Sequence, residues 1–326
     1  MRRKMKSGIM SGIMSRELRI IYMGSPDFAI APLLALVKGG YKPLTVVTRP
    51  DKPRGRGGRP AATPLKLAAL EIGLPVLTPP RVNEPEFLAE MAALKPDLLI
   101  TVAYGQIFKR ELLQLPRLGA VNLHASLLPA YRGAAPIQHA LINGEILSGV
   151  TTMYMDEGLD TGDMILRANC EISSTETAGE LHDKLMLLGA DLLCRTVGLI
   201  QLGLATREPQ DEALATYAPS LTAQDEIVNW QRSAMVIYNQ IRGLNPWPGA
   251  YSLWGGKRLK LWRCHIRPAR FAARPGAVVA VDRQGIWLST AEGELCLTEV
   301  QPEGKSHMEG CAFARGYGVQ PGTALG

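Results

Sequence analysis

The chain has 326 residues, 46% of them hydrophobic and 20% charged, and carries 36 Lys and Arg against 30 Asp and Glu for a formal charge of +6. That size and balance describe an ordinary soluble globular protein with room for two domains. Neither a signal-peptide core nor a run of membrane-spanning length is present, and the five cysteines (170, 194, 264, 296 and 311) form no metal-ligand or Cys-x-x-Cys pattern, which predicts reduced thiols, no metal and a cytoplasmic location with no membrane association.

Residues 1–18 contain the repeated Ser7-Gly8-Ile9-Met10 and Ser11-Gly12-Ile13-Met14 and are expected to form a disordered extension. Arg19 to Met23 is an apolar first strand. The turn after it offers Ser25 as N-cap and Pro26 at the first helical position. This resembles a nucleotide-binding opening, but Gly-x-Gly-x-x-Gly is missing and no acidic residue is placed to hold a ribose, so a dinucleotide site is not expected. Leu44 to Thr48 is the second strand. Between Arg49 and Arg59 come five basic residues (49, 52, 54, 56, 59) against Asp51 alone, in a Gly-rich stretch expected to be a flexible loop that presents charge outward. Helices are predicted over 63–72 and 84–94, with a short strand at 75–77 between them. Strands alternating with such helices imply a Rossmann-like, doubly wound, mostly parallel α/β sheet.

Leu98 to Ala103 reads as a buried strand, and Val121 to His124 as the next. Asn122 and His124 are two apart on that strand and share one face. An amide donor beside a group that moves protons near neutral pH suits chemistry in which charge develops on a carbonyl oxygen. The same pair reads equally as a structural Asn and His at a strand end. A helix over 131–143 is expected behind it. Gly149 to Met155 alternates like a strand and leads into the acidic loop Asp156 to Asp163, which places Asp160 within reach if the strand ends meet. A long amphipathic helix runs from Ala178 past Val197.

Residues 204–220 lose periodicity and read as a linker, which separates a first domain over 19–203 from a second over 221–326. After a helix over 233–241, short β-like runs at 250–253, 258–262, 277–281, 285–290 and 294–300 predict a small OB-like β-barrel. Nine basic residues lie between 242 and 283 against Asp282 alone. With the earlier Arg-rich stretch, this favours a polyanionic partner. Trp247, Trp254, Trp262 and Trp287 are candidate stacking platforms, although barrel core is the commoner role.

The ordered set Asn122-x-His124-x-Ser126-Leu127-Leu128-Pro129, Tyr131-Arg132-Gly133-Ala134-Ala135-Pro136-Ile137, Gly158-Leu159-Asp160-Thr161-Gly162 and Asn245-Pro246-Trp247-Pro248-Gly249 resembles the folate-dependent formyltransferases. The resemblance runs from about Arg19 to the end. It implies the formyltransferase fold with a C-terminal OB-like barrel, and transfer of a formyl group from 10-formyltetrahydrofolate to a primary amine. The branch with this arrangement acts on initiator methionyl-tRNA. Asn122, His124 and Asp160 are then the catalytic residues. Leu127, Leu128 and Pro129 form an apolar wall for the pterin, with Ser126 adding polar contact. Arg56 corresponds to the mobile loop that meets the acceptor end of the tRNA, with Arg54 and Arg59 beside it, and Arg258, Lys260 and Arg263 belong to the tRNA-binding barrel. A monomer is expected. A formyltransferase acting on an amino sugar or purine precursor would carry the same catalytic set but needs neither basic region. A non-catalytic nucleic-acid-binding protein would have no use for the full Asn122, His124 and Asp160 set.

Overall fold

The computed structural model describes residues 17–54 and 58–326, so the N-terminal extension up to residue 16 and Arg56 lie outside the described residues. The chain divides into two compact units. The first takes the chain up to Ala134, Gly149–Cys170 and Asp183–Ala218, and the second takes Ala135–Ser148, Glu171–His182 and Pro219–Gly326.

The first unit is built on a sheet whose order is β5 (Val76–Leu77), β2 (Thr45–Val47), β1 (Ile20–Gly24), β6 (Leu98–Val102), β7 (Ala120–His124), β8 (Leu147–Tyr154) and β9 (Met164–Glu171). The pairs from β5 to β7 are parallel, and β8 runs antiparallel to β7. β1 and β6 are buried at every residue, which is why they read as unbroken apolar runs rather than alternating ones. Ile21, Met23, Leu99, Phe87 and Met91 form the core under one face. The long helix Ala178–Gln201 meets the sheet at Gly189, where an added Cβ would lie 2.8 Å from Leu123.

Several expectations change in detail. Pro26, not Ser25, precedes the first helical turn; Ser25 Oγ instead accepts from the Arg49 N–H at 3.3 Å. Thr63 is the cap of the helix Pro64–Glu71 and accepts from the Lys66 N–H at 3.1 Å. Within the Arg-rich stretch, β3 (Lys52–Arg54) pairs antiparallel with β4 (Arg59–Ala61), so these residues are strand where composition marked loop. The helix expected over 131–143 begins only at Pro136 and groups with the second unit, because Tyr131 (φ 61°) and Gly133 (φ 122°) hold the chain before it out of the helical region.

Residues 204–220 are not a free linker. Met164 and Glu208 exchange backbone hydrogen bonds of 2.8 and 2.9 Å, Arg132 N–H donates to Thr216 O at 2.8 Å, and Ala218 N–H donates to Arg132 O at 2.7 Å. The segment is therefore strapped along the first unit as far as Ala218.

The second unit is the OB-like domain, an antiparallel sheet in the order β10 (Tyr251–Trp254), β11 (Lys257–Arg267), β14 (Glu294–Pro302), β13 (Ile286–Ser289) and β12 (Val278–Val281), with β15 (Met308–Glu309) pairing β14. The helix Ala234–Gly243, capped by Ser233, and the helix Gly310–Tyr317 belong to the same unit. Ile237, Ile241, Leu261, Leu297 and Phe313 share one core. Trp262 and Trp287 are buried, and Trp254 packs edge-on against Phe313, so three of the four tryptophans serve the fold; Trp247 alone of the four is exposed.

Candidate functional site

β7 presents Asn122 and His124 on one face while Val121 and Leu123 bury the other. Because β8 is antiparallel, it ends beside the start of β7, with Tyr154 opposite Val121. A neighbour parallel to β7 would release the Asp160 loop beside the carboxyl end of β7. The loop instead leaves at the opposite end and runs back along β7 to deliver it.

The three groups do meet. Asn122 Nδ2 lies 3.4 Å from Asp160 Oδ1, and His124 Nδ1 lies 3.6 Å from Asp160 Oδ2. Both contacts are long for hydrogen bonds, so neither donor is fully engaged by the carboxylate. The Gly133 N–H makes the short bond, 2.9 Å to Asp160 Oδ2. On the other side of the ring, His124 Nε2 lies 2.9 Å from the Tyr131 carbonyl. A carbonyl only accepts, so Nε2 carries a proton and the ring orientation is fixed. His124 is 6% exposed, and Asn122 is half-buried. The geometry thus leaves an amide N–H and an imidazole nitrogen loosely held beside one carboxylate. An incoming carbonyl oxygen and an amine proton would meet donor and acceptor in one small volume.

Two devices hold this arrangement. Asp160 has φ 54°, a conformation costing a non-glycine residue about 1–2 kcal/mol, so its loop needs ties that hold it. Asp156 Oδ1 supplies some by accepting from the Gly158 N–H at 3.0 Å and the Thr161 hydroxyl at 2.7 Å. At Gly162 any side chain would run into the Tyr154 carbonyl. Arg132 forms the second device. Its side chain is wholly buried, with Nη1 and Nη2 at 2.9 and 2.7 Å from Glu212 and Nε at 3.0 Å from Gln210 Oε1. Gln210 and Glu212 come from the segment read as linker, and nothing in its aperiodic sequence marks them.

The Ser126–Pro129 segment follows β7 directly. Ser126 is 2% exposed, and its hydroxyl donates to the Ala130 carbonyl at 2.6 Å. Leu128 is 1% exposed and packs with Met153 and Met164, while its N–H donates to Thr151 Oγ1 at 3.1 Å. These two side chains set the path of the segment; Leu127 and Pro129 are half-buried. At the carboxyl ends of β2 and β6, two buried polar atoms have no hydrogen-bond partner, Arg49 Nε and the Tyr104 hydroxyl. Burial pushes the Tyr104 phenol up to about 12 against the opposing charge of Arg49, so it remains a proton donor at neutral pH. Among the described residues, no group of three or more His, Cys, Asp or Glu is placed to hold a metal ion.

The basic residues of the second unit divide by what they already touch. Arg267 is spent on the fold, with Nε 2.8 Å from the buried Glu294 and its guanidinium 3.5 Å over the Trp287 ring. Arg263 lies 3.7 Å from both Glu180 and Glu299. Lys260 Nζ donates to the Pro248 carbonyl at 2.7 Å, and the exposed Arg258 has its guanidinium 4.6 Å from the Tyr251 ring centroid. The backbones of Arg54 and Arg59 are opposite each other in the β3–β4 pairing of the first unit.

Comparison with known proteins agrees with this architecture. The formyl transferase family model matches residues 18–197, and the formyl transferase C-terminal domain model matches residues 220–318. A methionyl-tRNA formyltransferase from Moorella thermoacetica is 50% identical over 309 residues, covering 95% of this chain and 99% of the relative. One from Bacillus subtilis is 47% identical, covering 94% and 98%. Among solved structures, an N-formyltransferase from Helicobacter canadensis in complex with folinic acid and dTDP-3-aminofucose superposes with a TM-score of 0.65 at 18% identity, covering 87% of this chain and 99% of that one. HypX from Aquifex aeolicus in complex with tetrahydrofolic acid gives a TM-score of 0.62 at 16% identity, covering 92% and 47%. The chain belongs to the methionyl-tRNA formyltransferase family of formyl transferases.

Proposed function

We propose that the chain transfers a formyl group from 10-formyltetrahydrofolate to the amino group of methionine on initiator methionyl-tRNA. The observation that carries this reading is the convergence of Asn122, His124 and Asp160, in a chain about half identical to methionyl-tRNA formyltransferases over nearly its whole length. The folate donor is further supported by the folate-type ligands bound in structural relatives.

The amine nitrogen attacks the formyl carbon and the carbonyl oxygen takes negative charge. The second N–H of Asn122 and the Nδ1 proton of a protonated His124 meet that oxygen, while Nε2–H stays on the Tyr131 carbonyl and keeps the ring in place. Asp160 takes the proton released by the amine, directly or through water. The new C–N bond persists, the bond to folate N10 breaks as the C=O re-forms, and N10 leaves with the proton that Asp160 took from the amine, returned directly or through water. The Ser126–Pro129 segment offers Leu127, Pro129 and its peptide groups to the pterin, on a path fixed by the buried Ser126 and Leu128. Arg56, Arg54 and Arg59 of the Arg-rich stretch, with Arg258, Lys260 and Arg263 of the OB-like domain, supply positive charge for the tRNA backbone.

The test offers wild-type protein 10-formyltetrahydrofolate with either methionyl-initiator tRNA or a nucleotide-linked amino sugar. Formylation of the tRNA alone is expected. Formylation of the sugar alone would replace this reading with a small-molecule formyltransferase.

A further inference from the structure

We propose that Gln210 is a positioning residue for this reaction: its amide clamps the turn carrying Asp160 and so aims the carboxylate at Asn122 and His124. The inference rests on the formyl-transfer reading of the same site. Gln210 Nε2 donates to the Asp160 carbonyl at 2.7 Å and to the Gly162 carbonyl at 2.8 Å, and Oε1 accepts from Arg132 Nε at 3.0 Å. Both amide N–H groups and the acceptor are thus committed within the protein, so Gln210 acts through Asp160 and not on substrate.

The turn requires such a clamp. Asp160 occupies the left-handed region, and Gly162 has no room for a side chain against Tyr154. Asp156 ties Gly158 and Thr161 from inside the loop, but its bonds do not reach the Asp160 or Gly162 carbonyls. Those two carbonyls are held from outside by Gln210. Its own backbone is fixed nearby, by the Met164–Glu208 pairing. The side chain must offer two donors to two carbonyls and one acceptor to a guanidinium. A carboxylate cannot donate, a leucine of similar size can do neither, and asparagine is one methylene short.

The experiment compares wild type with Gln210→Leu, Gln210→Glu and Asp211→Ala as full-length proteins, by amide hydrogen exchange and by steady-state formylation. The Gly133 amide, bonded to the Asp160 carboxylate, reports the clamp without requiring activity. Both Gln210 variants are expected to exchange there about tenfold faster or more, with kcat down roughly 10- to 100-fold and KM for tRNA and folate within about twofold. Asp211→Ala, which removes only the acceptor for the Ala213 N–H one residue along, is expected to match wild type in both. Gln210→Glu keeps the volume, so a packing defect limited to leucine is recognised by its absence there. Unchanged exchange at Gly133 overturns the clamp whatever the activity. Faster exchange with unchanged kcat overturns the positioning role, and a loss confined to KM would make Gln210 a substrate contact. Wild-type protein that does not formylate methionyl-tRNA would sink the functional reading, while the exchange data still decide whether the clamp exists.

Discussion

Arg132 has no exposed surface, yet the carboxylate that holds it, Glu212, is 69% exposed, and the two meet through paired bonds of 2.9 and 2.7 Å. The short bonds to Arg132 hold the Glu212 carboxyl below its usual range. A guanidinium buried under an exposed partner has asymmetric consequences. Glu212→Ala opens the fork to water, which takes over part of the bonding. Arg132→Ala leaves a void, an unpaired Gln210 Oε1 and a loosened Asp160 turn. Arg132→Ala is therefore expected to lower Tm by clearly more than Glu212→Ala, measured by calorimetry at neutral pH. Equal losses would show that the pair is not organised this way.

Replacing the converging groups should cost rate and not binding. Asn122→Ala removes one donor to the developing oxyanion, and a loss of about 3 kcal/mol, a hundred- to a thousandfold in kcat, is expected. Asp160→Asn removes the proton acceptor and should cost roughly 10²- to 10⁴-fold. Folate and tRNA affinities, measured by titration, should remain within a few-fold. A variant with full kcat would remove that residue from the mechanism.

The basic residues of the OB-like domain should not contribute equally to tRNA binding. Arg258 is exposed, with its guanidinium by the Tyr251 ring and its main-chain N–H, rather than its side chain, on the Glu303 carboxylate at 3.2 Å, whereas the Arg263 side chain sits between Glu180 and Glu299. Arg258→Ala should reduce the slope of log affinity against log salt by about one. Arg263→Ala should change it less, because the arginine gives up existing partners to reach a phosphate. Equal slopes in both variants would contradict this ranking.

Acid should weaken the OB-like domain through Glu294. Burial works to raise its pKa, but the Arg270 N–H at 2.8 Å, the Arg267 guanidinium at 2.8 Å and the Phe271 N–H at 2.9 Å outweigh it, and the net shift is downward. A carboxyl lowered on folding contributes stability that is complete above its unfolded value of about 4.3 and is lost as pH falls through the lower folded value. Glu294→Gln should therefore be less stable than wild type at pH 6–7, with the Tm gap narrowing below about pH 4. A gap constant from pH 7 to pH 3 would contradict the role assigned to its charge.

The parts of this molecule that are periodic were legible in its sequence. β1, β6 and β7 announce themselves by apolar runs, and Asn122 and His124 by their spacing on one strand. The antiparallel direction of β8 was not legible, since an alternating strand carries no sign of which way its neighbour runs, and so the route of the Asp160 loop was missed. Gln210 was hidden for a different reason. The strap around it is held by backbone bonds to Met164, Arg132 and Pro129, and irregular backbone pairing leaves no periodicity. The β3–β4 pairing was masked by its Arg, Lys and Pro content, which reads as loop. Ser126 and Leu128 look like substrate contacts in sequence, but both side chains are buried and engaged within the protein, where they set the path of the segment.

The most direct test is the initial rate of formylation of methionyl-initiator tRNA by wild type and His124→Ala, with 10-formyltetrahydrofolate as donor and tRNA binding measured on the same preparations. Wild type is expected to formylate the tRNA, and His124→Ala to bind it equally well while losing at least about a hundredfold in rate. Undiminished formylation by His124→Ala would contradict the claim that Asn122, His124 and Asp160 together form the reacting centre.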